Sequence, residues 1–523
     1  MSLSDGSEVE VEQPITDPEQ WFLTQDEITA SRGGVVRDDL SDYTSGNQVE
    51  AYVATKEYFD RIYEDLEATR KNDLILLSAW STDDVPFKPE TDPVNSTFHG
   101  VISRAVARGA HFHALVWNNL IEHEQNVKMR DFINALPVSP NGGTAQFIFD
   151  DRLSAAQSAH HQKTVAIIRD SEVVVAYAGG IDLTGDRWDR ITHDQASFRE
   201  KSGIKPTSNG WLDAQVRING SAADDIAVNF LARWNSKTRP AQDLLDDVLD
   251  FENPAFSVLP LLAVPDSFDD VSDLTESEED ILGTHNVQIV RTFSCAYQNY
   301  EFAPKGENSI LQARIKAIRN AKNYIYIEDQ YFLLVPELLN ELLNVLPHLQ
   351  RVIAVVQRPV SEAKLAGFEK FMFDMVSPMQ KLFPNKFQLY TTKESRDLYI
   401  HTKLVIVDDV YLSISSANWN RRSMTSDSEI GVNVVDDTTV ENPDGVMVSQ
   451  LALDYRLRKF TELTGETYDT LAKLKFFDAA NQLDVAAKSF ETIIEPLELD
   501  EKAYFAAYRS DQVHSLVDPL DVC

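Results

Sequence analysis

Apolar positions between Glu50 and Ala178 fall into blocks of two different periods. Tyr52, Tyr58, Ile62 and Leu66 recur at helical spacing and predict a helix over about 50–69. The apolar run at 73–78 is too short for a helix and predicts a buried strand. A helix near 98–107, a strand at 112–117, a helix at about 121–136 and a strand at 145–149 follow. The runs 164–168 and 173–178 then read as a hairpin. The order returns downstream as helix 309–318, strand 324–327, helix 336–346, strand 352–356, helix 363–379, strand 387–390 and hairpin 404–407 with 411–414. Beyond Gln450, the residues Leu451, Leu453, Tyr455 and Leu457 predict a helical segment packed on the second half.

A pattern of this length occurring twice predicts a duplicated domain rather than a short repeat. Strands alternating with helices predict an α/β fold on a largely parallel sheet. The expected layout is an acidic tail over 1–45, a first lobe over 46–265, an acidic linker over 266–290 and a second lobe over 291–523. The linker is placed by the Asp-, Glu- and Ser-rich stretch from Ser267 to Asp280.

The composition, 43% hydrophobic and 25% charged, is that of a folded protein, but the net charge of −35 is not ordinary. So acidic a surface repels nucleic acid and anionic membranes. It leaves room for a local basic pocket, and for contact with a zwitterionic or apolar surface. Cys295 and Cys523 have no metal-like spacing and make no disulfide framework, which fits a reducing compartment. The polar, acidic start Met1–Asp5 is unlike a secretory signal, and no apolar run reaches about 18 residues. The expectation is a cytoplasmic protein, or one exported without a classical signal peptide, with peripheral membrane contact and no transmembrane segment.

Two motifs stand at matching places in the repeat. The first half has His160-His161-Gln162-Lys163, then Gly179-Gly180-Ile181-Asp182 and Arg187-Trp188-Asp189. The second has His401-Thr402-Lys403, Asp408, Ser415-Ser416-Ala417-Asn418 and Asp427-Ser428-Glu429. One His-x-Lys is a weak signal; two copies 240 residues apart in a duplicated fold are a strong one. Together with Trp211–Ile218 and Ile325–Phe332, these residues resemble the phospholipase D superfamily, in its eukaryotic-type two-motif form, over about 50–460. The resemblance implies two α-β-α sandwich lobes related by pseudo-twofold symmetry, with one active site shared between them. There are two departures. Ile168 stands where the first motif's aspartate belongs, with Asp170 two residues later, and Ser415 replaces a glycine.

The chemistry explains the residue types. A neutral imidazole can attack phosphorus and form a phosphohistidine, splitting one hard step into two. A second imidazole protonates the leaving alcohol and then deprotonates water or an alcohol. Lys163 and Lys403 neutralise the non-bridging oxygens, and Asn418 and Ser416 donate hydrogen bonds to them. By the resemblance His161 is the nucleophile and His401 the acid/base. Asp182 stands at the place of Asn418, cannot donate when ionised, and is expected to orient a lysine or histidine. Glu429 is expected to fix a histidine tautomer. Asp408, Gly180 and Asp170 complete the supporting set. The scheme needs no metal or cofactor.

The implied function is hydrolysis of a glycerophospholipid to phosphatidate and a headgroup alcohol, with transphosphatidylation. Alternatives are a cardiolipin-synthase-like phosphatidyltransferase, another phosphodiesterase or nuclease of the superfamily, and a degenerate lipid- or phosphate-binding protein. The partner is a phospholipid at a membrane surface, no nucleic acid is expected, and a monomer suffices because both motifs share one chain. His111, His113, His123, His193 and His285 lack such context and read as ordinary strand, helix or loop residues. Phe368, Phe371, Met372 and Phe373 read as core.

Overall fold

The foreseen strands lie side by side in one continuous sheet. In the computed structural model the described residues are 10–118, 122–153, 158–194, 196–201, 208–238, 240, 261–263, 283–359, 367–499 and 518. The first half contributes β1 (Thr44–Tyr52), β2 (Leu74–Ala79), β3 (His111–Trp117), β4 (Thr144–Asp150), β5 (Thr164–Arg169), β6 (Glu172–Gly179), β7 (Gly210–Leu212) and β8 (Gln215–Asn219). The second contributes β9 (His285–Phe293), β10 (Glu307–Asn308), β11 (Tyr324–Asp329), β12 (Arg351–Val356), β13 (Phe387–Thr392), β14 (Leu398–Ile400), β15 (Lys403–Val407), β16 (Tyr411–Ser415) and β17 (Glu429–Asp436). The short β18 (Thr439–Glu441), β19 (Met447–Ser449) and β20 (Ile494–Pro496) follow.

The sheet runs β4-β3-β2-β5-β6-β8-β1, crosses a seam, and continues β9-β17-β16-β15-β11-β12-β13-β20. From either outer part toward the seam, three parallel strands are followed by an antiparallel hairpin. The sheet is therefore α/β but not largely parallel. Within this sheet, strands joined by a helical crossover, such as β2 and β3 through Phe98–Arg108, pair in parallel; the hairpins β5–β6 and β15–β16 force antiparallel pairing.

One face of the sheet carries a single core reaching across both halves, where Ile218 and Phe230 share a cluster with Ile289, Ile430, Tyr455 and Phe460. The opposite face carries separate cores for each half. Helix Gln450–Thr464 belongs to the shared core and also ties back to the first half, through Tyr455 to the Tyr52 carbonyl and Arg458 to Glu57.

Several expectations need correction. From Glu10 onward the region foreseen as a tail is folded. Asp17 and Thr24 cap helices Pro18–Trp21 and Gln25–Ser31, and Trp21, Phe22, Leu23 and Ile28 enter the second-half core. Trp21 stacks on Tyr411 at 5.4 Å. Two helices of at most seven residues are too short to show a period, which hid them. The helix foreseen from residue 50 begins at Thr55, because Glu50–Tyr52 belongs to β1. Residues 266–282 of the foreseen linker lie outside the described residues, and 285–290 form part of the seam strand β9. Polar residues disguised that strand: Gln288 is buried but bonded to Leu23 and Asp42. Ile121 and residues 363–366 of two foreseen helices also lie outside the described set. Among the described residues no helix is long and apolar enough to cross a membrane.

Candidate active site

Both His-x-Lys motifs stand at the entrance to equivalent strands: Lys163 immediately precedes β5 and Lys403 opens β15. Each of these strands pairs with the first parallel strand of its own half, β2 or β11. This brings His161 and His401 opposite each other in an edge-on arrangement, with ring centroids 6.5 Å apart and planes at 61°. The rings are 8% and 6% exposed, so each presents only an edge to solvent.

Each histidine is held by the opposite half. His161 Nδ1 lies 3.1 Å from both carboxylate oxygens of Glu429 and 3.0 Å from the Ser416 carbonyl, while its backbone N–H donates to Ser428. Ser416 Oγ also donates to Glu429. His401 Nδ1 lies 2.7 Å from Asp213 Oδ2, and its backbone N–H donates to the Leu212 carbonyl. Acceptors at Nδ1 put the proton there and leave Nε2 with its lone pair facing the cleft. The two halves thus complete each other's motif.

The two carboxylates are not equivalent. Burial works to raise both, but the His161 ring, Ser416 and Lys163 hold Glu429 below the usual carboxylate range. At Asp213 burial prevails over Lys403 and the Ala214 N–H, raising it to about 6. Both histidines are lowered, chiefly by burial; Lys403, Arg187 and Lys163 add to the effect at His401, which falls well below its ordinary value.

Lys163 and Lys403 are almost wholly buried, and each ammonium donates to the carbonyl of the histidine two residues before it. Lys163 pairs with Asp182 at 3.4 Å, and Lys403 donates to Gln330 at 3.2 Å. Burial lowers both, Lys403 to about 8. Asp182 also accepts the Trp80 and Ser81 N–H groups, so it positions Lys163 as its acceptor-only chemistry requires. Asn418 is 2% exposed, and its Oδ1 is buried without a hydrogen-bond partner.

Gly180 supports the site by lacking a side chain. A Cβ there would lie 2.1 Å from Asp213 Oδ1, so only glycine lets Asp213 reach His401. Ser415 takes no left-handed backbone. Its missing-glycine space is supplied across the ladder by Gly431, whose added Cβ would meet the Ser415 Cβ at 3.2 Å.

Two foreseen supporting residues lie away from the histidines. Asp408 accepts the N–H groups of Lys322, Asn323 and Tyr324 at 2.6–2.8 Å, pinning the chain where it enters β11. Asp170, at φ 50°, sits in the tight turn at the far end of the β5–β6 hairpin from His161, and does not replace the missing aspartate. Ile168 pairs with Leu74 and is buried. The equivalent anchorage comes from Asp73, which accepts the Arg70 N–H and pairs with Arg169 at 2.7 Å. The carboxylate has moved to the neighbouring strand segment.

Sequence reasoning quoted Trp211 and Asp213 only as flanking residues. Trp211 packs 5.2 Å from His401 and 4.8 Å from Tyr399, and Arg187 lies 4.0 Å above its ring. Beside these, Tyr331, Leu333, Phe368, Met372 and Tyr399 line a mainly apolar crevice of only about 20 Å³ that Gln330 joins to Lys403. Phe371 and Met372 are core residues, whereas Phe368 borders this cleft. No group of three or more His, Cys, Asp or Glu among the described residues is placed to hold a metal ion.

Residues 118–341 match the family described as phospholipase D, and residues 315–446 match the cardiolipin synthase, phospholipase D-like domain family. Phospholipase D delta of Arabidopsis thaliana is 24% identical over 64% of this chain and 51% of that protein. Phospholipase D alpha 1 of Ricinus communis is 25% identical over 74% of this chain and 61% of that protein. The chain spans about half the length of several such relatives. In fold it is similar to phosphatidylserine synthase of Haemophilus influenzae, with a TM-score of 0.50 and 14% identity over 90% of this chain and 92% of the other. The first family match spans His161 and Lys163 and the second His401 and Lys403, so both halves of the crossed histidine site are similar to the phospholipase D superfamily.

Proposed function

We propose that the protein is a phospholipase D that cleaves glycerophospholipids through a phosphatidyl group carried on His161. The observation that carries this is the crossed pair of buried imidazoles, each fixed at Nδ1 by a carboxylate of the other half and flanked by a lysine.

Two titratable partners pushed in opposite directions support this division of roles. Glu429, held ionised, suits the ring that must carry positive charge once phosphorylated, so His161 is the nucleophile. Asp213, raised to about 6, suits the ring that exchanges protons, so His401 is the acid/base. His161 Nε2 forms the N–P bond as the P–O bond to the headgroup breaks and His401 gives that oxygen its proton. The anionic phosphodiester itself raises His401 toward the protonated form this step needs. His401 then takes a proton from water, whose oxygen displaces His161 and releases phosphatidate. Lys163, Lys403 and Asn418 face the non-bridging oxygens. The apolar side chains of Tyr331, Phe368 and Met372 beside the site offer a surface for the lipid part of the substrate to lie against.

Phosphatidylcholine vesicles are expected to yield choline and phosphatidate in equal amounts. Absence of both, with phosphatidylethanolamine and phosphatidylglycerol also inert, would refute the proposal. A phosphatidyltransferase reading is favoured by one observation, the cardiolipin-synthase-type match over residues 315–446; it predicts that an alcohol acceptor is required for turnover.

The lysines set an alkaline limit. Burial pushes the Lys403 ammonium down to about 8. It is charged below that pH and neutral above it, so kcat/KM is expected to fall as pH rises through about 8. Bound phosphodiester favours the charged form, so kcat should hold to higher pH. A kcat/KM profile flat to pH 10 would remove Lys403 from phosphate binding.

A further inference from the structure

A second set of buried charged groups runs beneath His401. His193 is 6% exposed and lies between two carboxylates: Nδ1 is 2.7 Å from Asp189 Oδ2, and Nε2 is 3.3 Å from Glu462 Oε1 on helix Gln450–Thr464. Glu462 pairs with Lys459, which is fully buried and 2.8 Å from Glu328 on β11. Glu328 accepts the Thr402 hydroxyl at 2.5 Å and the Tyr326 hydroxyl at 2.7 Å. At the other end Asp189 Oδ2 accepts the Trp211 N–H at 2.8 Å, and the Trp211 ring packs on His401. The network therefore ends on two supports of the same imidazole. One is Trp211 against its face; the other is Thr402, the residue that follows it in the chain.

Two features mark His193 as more than a packed loop residue. Its φ of 49° is left-handed, a conformation that a non-glycine residue keeps only when its surroundings impose it. The three buried carboxylates are not left to one cation: Lys459 lies between Glu462 and Glu328, and the buried Arg199 acts on Asp189. An imidazolium at His193 adds positive charge where Asp189 and Glu462 meet, the one point that neither Lys459 nor Arg199 bridges in the contacts described. Burial opposes that charge, but the hydrogen bond to Asp189 and the close Glu462 carboxylate raise His193 to about 9.

We infer that His193 is a positioning residue for proton transfer: it joins Asp189 and Trp211 of the first half to Glu462, Lys459, Glu328 and Thr402, and so holds His401 in line with the leaving oxygen. The inference rests on the phospholipase D reading and on His401 as its acid. A proton donor out of line matters only when the leaving group needs a proton. His193→Asn is therefore expected to slow choline release from phosphatidylcholine by about 10–100-fold. The first-turnover burst of p-nitrophenol from phosphatidyl-p-nitrophenol, whose leaving group departs unprotonated, should change by less than about threefold. KM should stay near that of the unmodified protein. Thr402→Val cuts the network at its other end and should show the same contrast, which keeps the test open if His193→Asn does not fold. Equal losses on both substrates, or no loss on either, would overturn the positioning role. An unmodified protein inert toward both substrates would overturn the phospholipase D reading and this inference with it. Equal loss on both substrates in His401→Ala would overturn the acid assignment specifically.

Discussion

His401→Ala should accept a phosphatidyl group from phosphatidyl-p-nitrophenol and hold it on His161, while His161→Ala should accept none. With phosphatidylcholine both variants should lose turnover by on the order of 10⁴-fold or more, as when one member of a coupled nucleophile–base pair is removed. The asymmetry follows from geometry. His161 keeps Glu429 and Ser416 at Nδ1 when His401 is removed, so its nucleophilic Nε2 remains aimed at phosphorus. Without His401 nothing removes the proton from water, and the intermediate persists. Intact-protein mass spectrometry after a quench at neutral pH would show a phosphatidyl adduct, and peptide mapping would place it on His161. An adduct on His401 in His161→Ala, with none in His401→Ala, would reverse the two roles.

Asp213→Asn should lower kcat by roughly 10³–10⁴-fold, the range seen when the carboxylate behind a catalytic histidine becomes an amide. Among the described residues Asp213 is the one hydrogen-bond partner at His401 Nδ1, and an amide there can present an N–H and select the wrong tautomer. Gly180→Ala should act in the same direction by a different route, because its Cβ would lie 2.1 Å from Asp213 Oδ1 and displace the carboxylate. In Asp213→Asn a buried carboxylate raised to about 6 is replaced by a neutral group, so thermal stability should be kept while turnover is lost. A thermal melt run beside the kcat measurement separates the two effects. A kcat within threefold of the unmodified protein would show that His401 does not depend on Asp213.

The reactive residues were legible because each histidine and lysine sit two positions apart, and the strand fixes their geometry once it forms. Glu429 was legible as a histidine partner for a similar reason, since it opens a strand just after the Ser416–Asn418 turn. Asp213 was not, because 188 residues separate it from His401 and only the shared sheet brings them together. His193 was hidden more deeply, as a single loop histidine whose partners come from one nearby residue and a helix 269 positions on. The missing aspartate at Ile168 misled because the same anchorage can be made from Asp73 with Arg169, reversing which strand carries the charge. The alternation of periods located the strands, but it could not tell crossover from hairpin pairing. Nor could it find the N-terminal segment, whose Trp21, Phe22 and Leu23 form too short an apolar cluster to declare a period.

A covalent phosphatidyl-enzyme assembled from both halves is most directly tested by competition between water and alcohol. Phosphatidylcholine with a small proportion of ethanol should give phosphatidylethanol alongside phosphatidate, at a ratio that follows the ethanol concentration while choline release stays constant, because both acceptors partition one common intermediate. Phosphatidate and choline formed without any phosphatidylethanol would contradict a covalent route and leave direct attack by water.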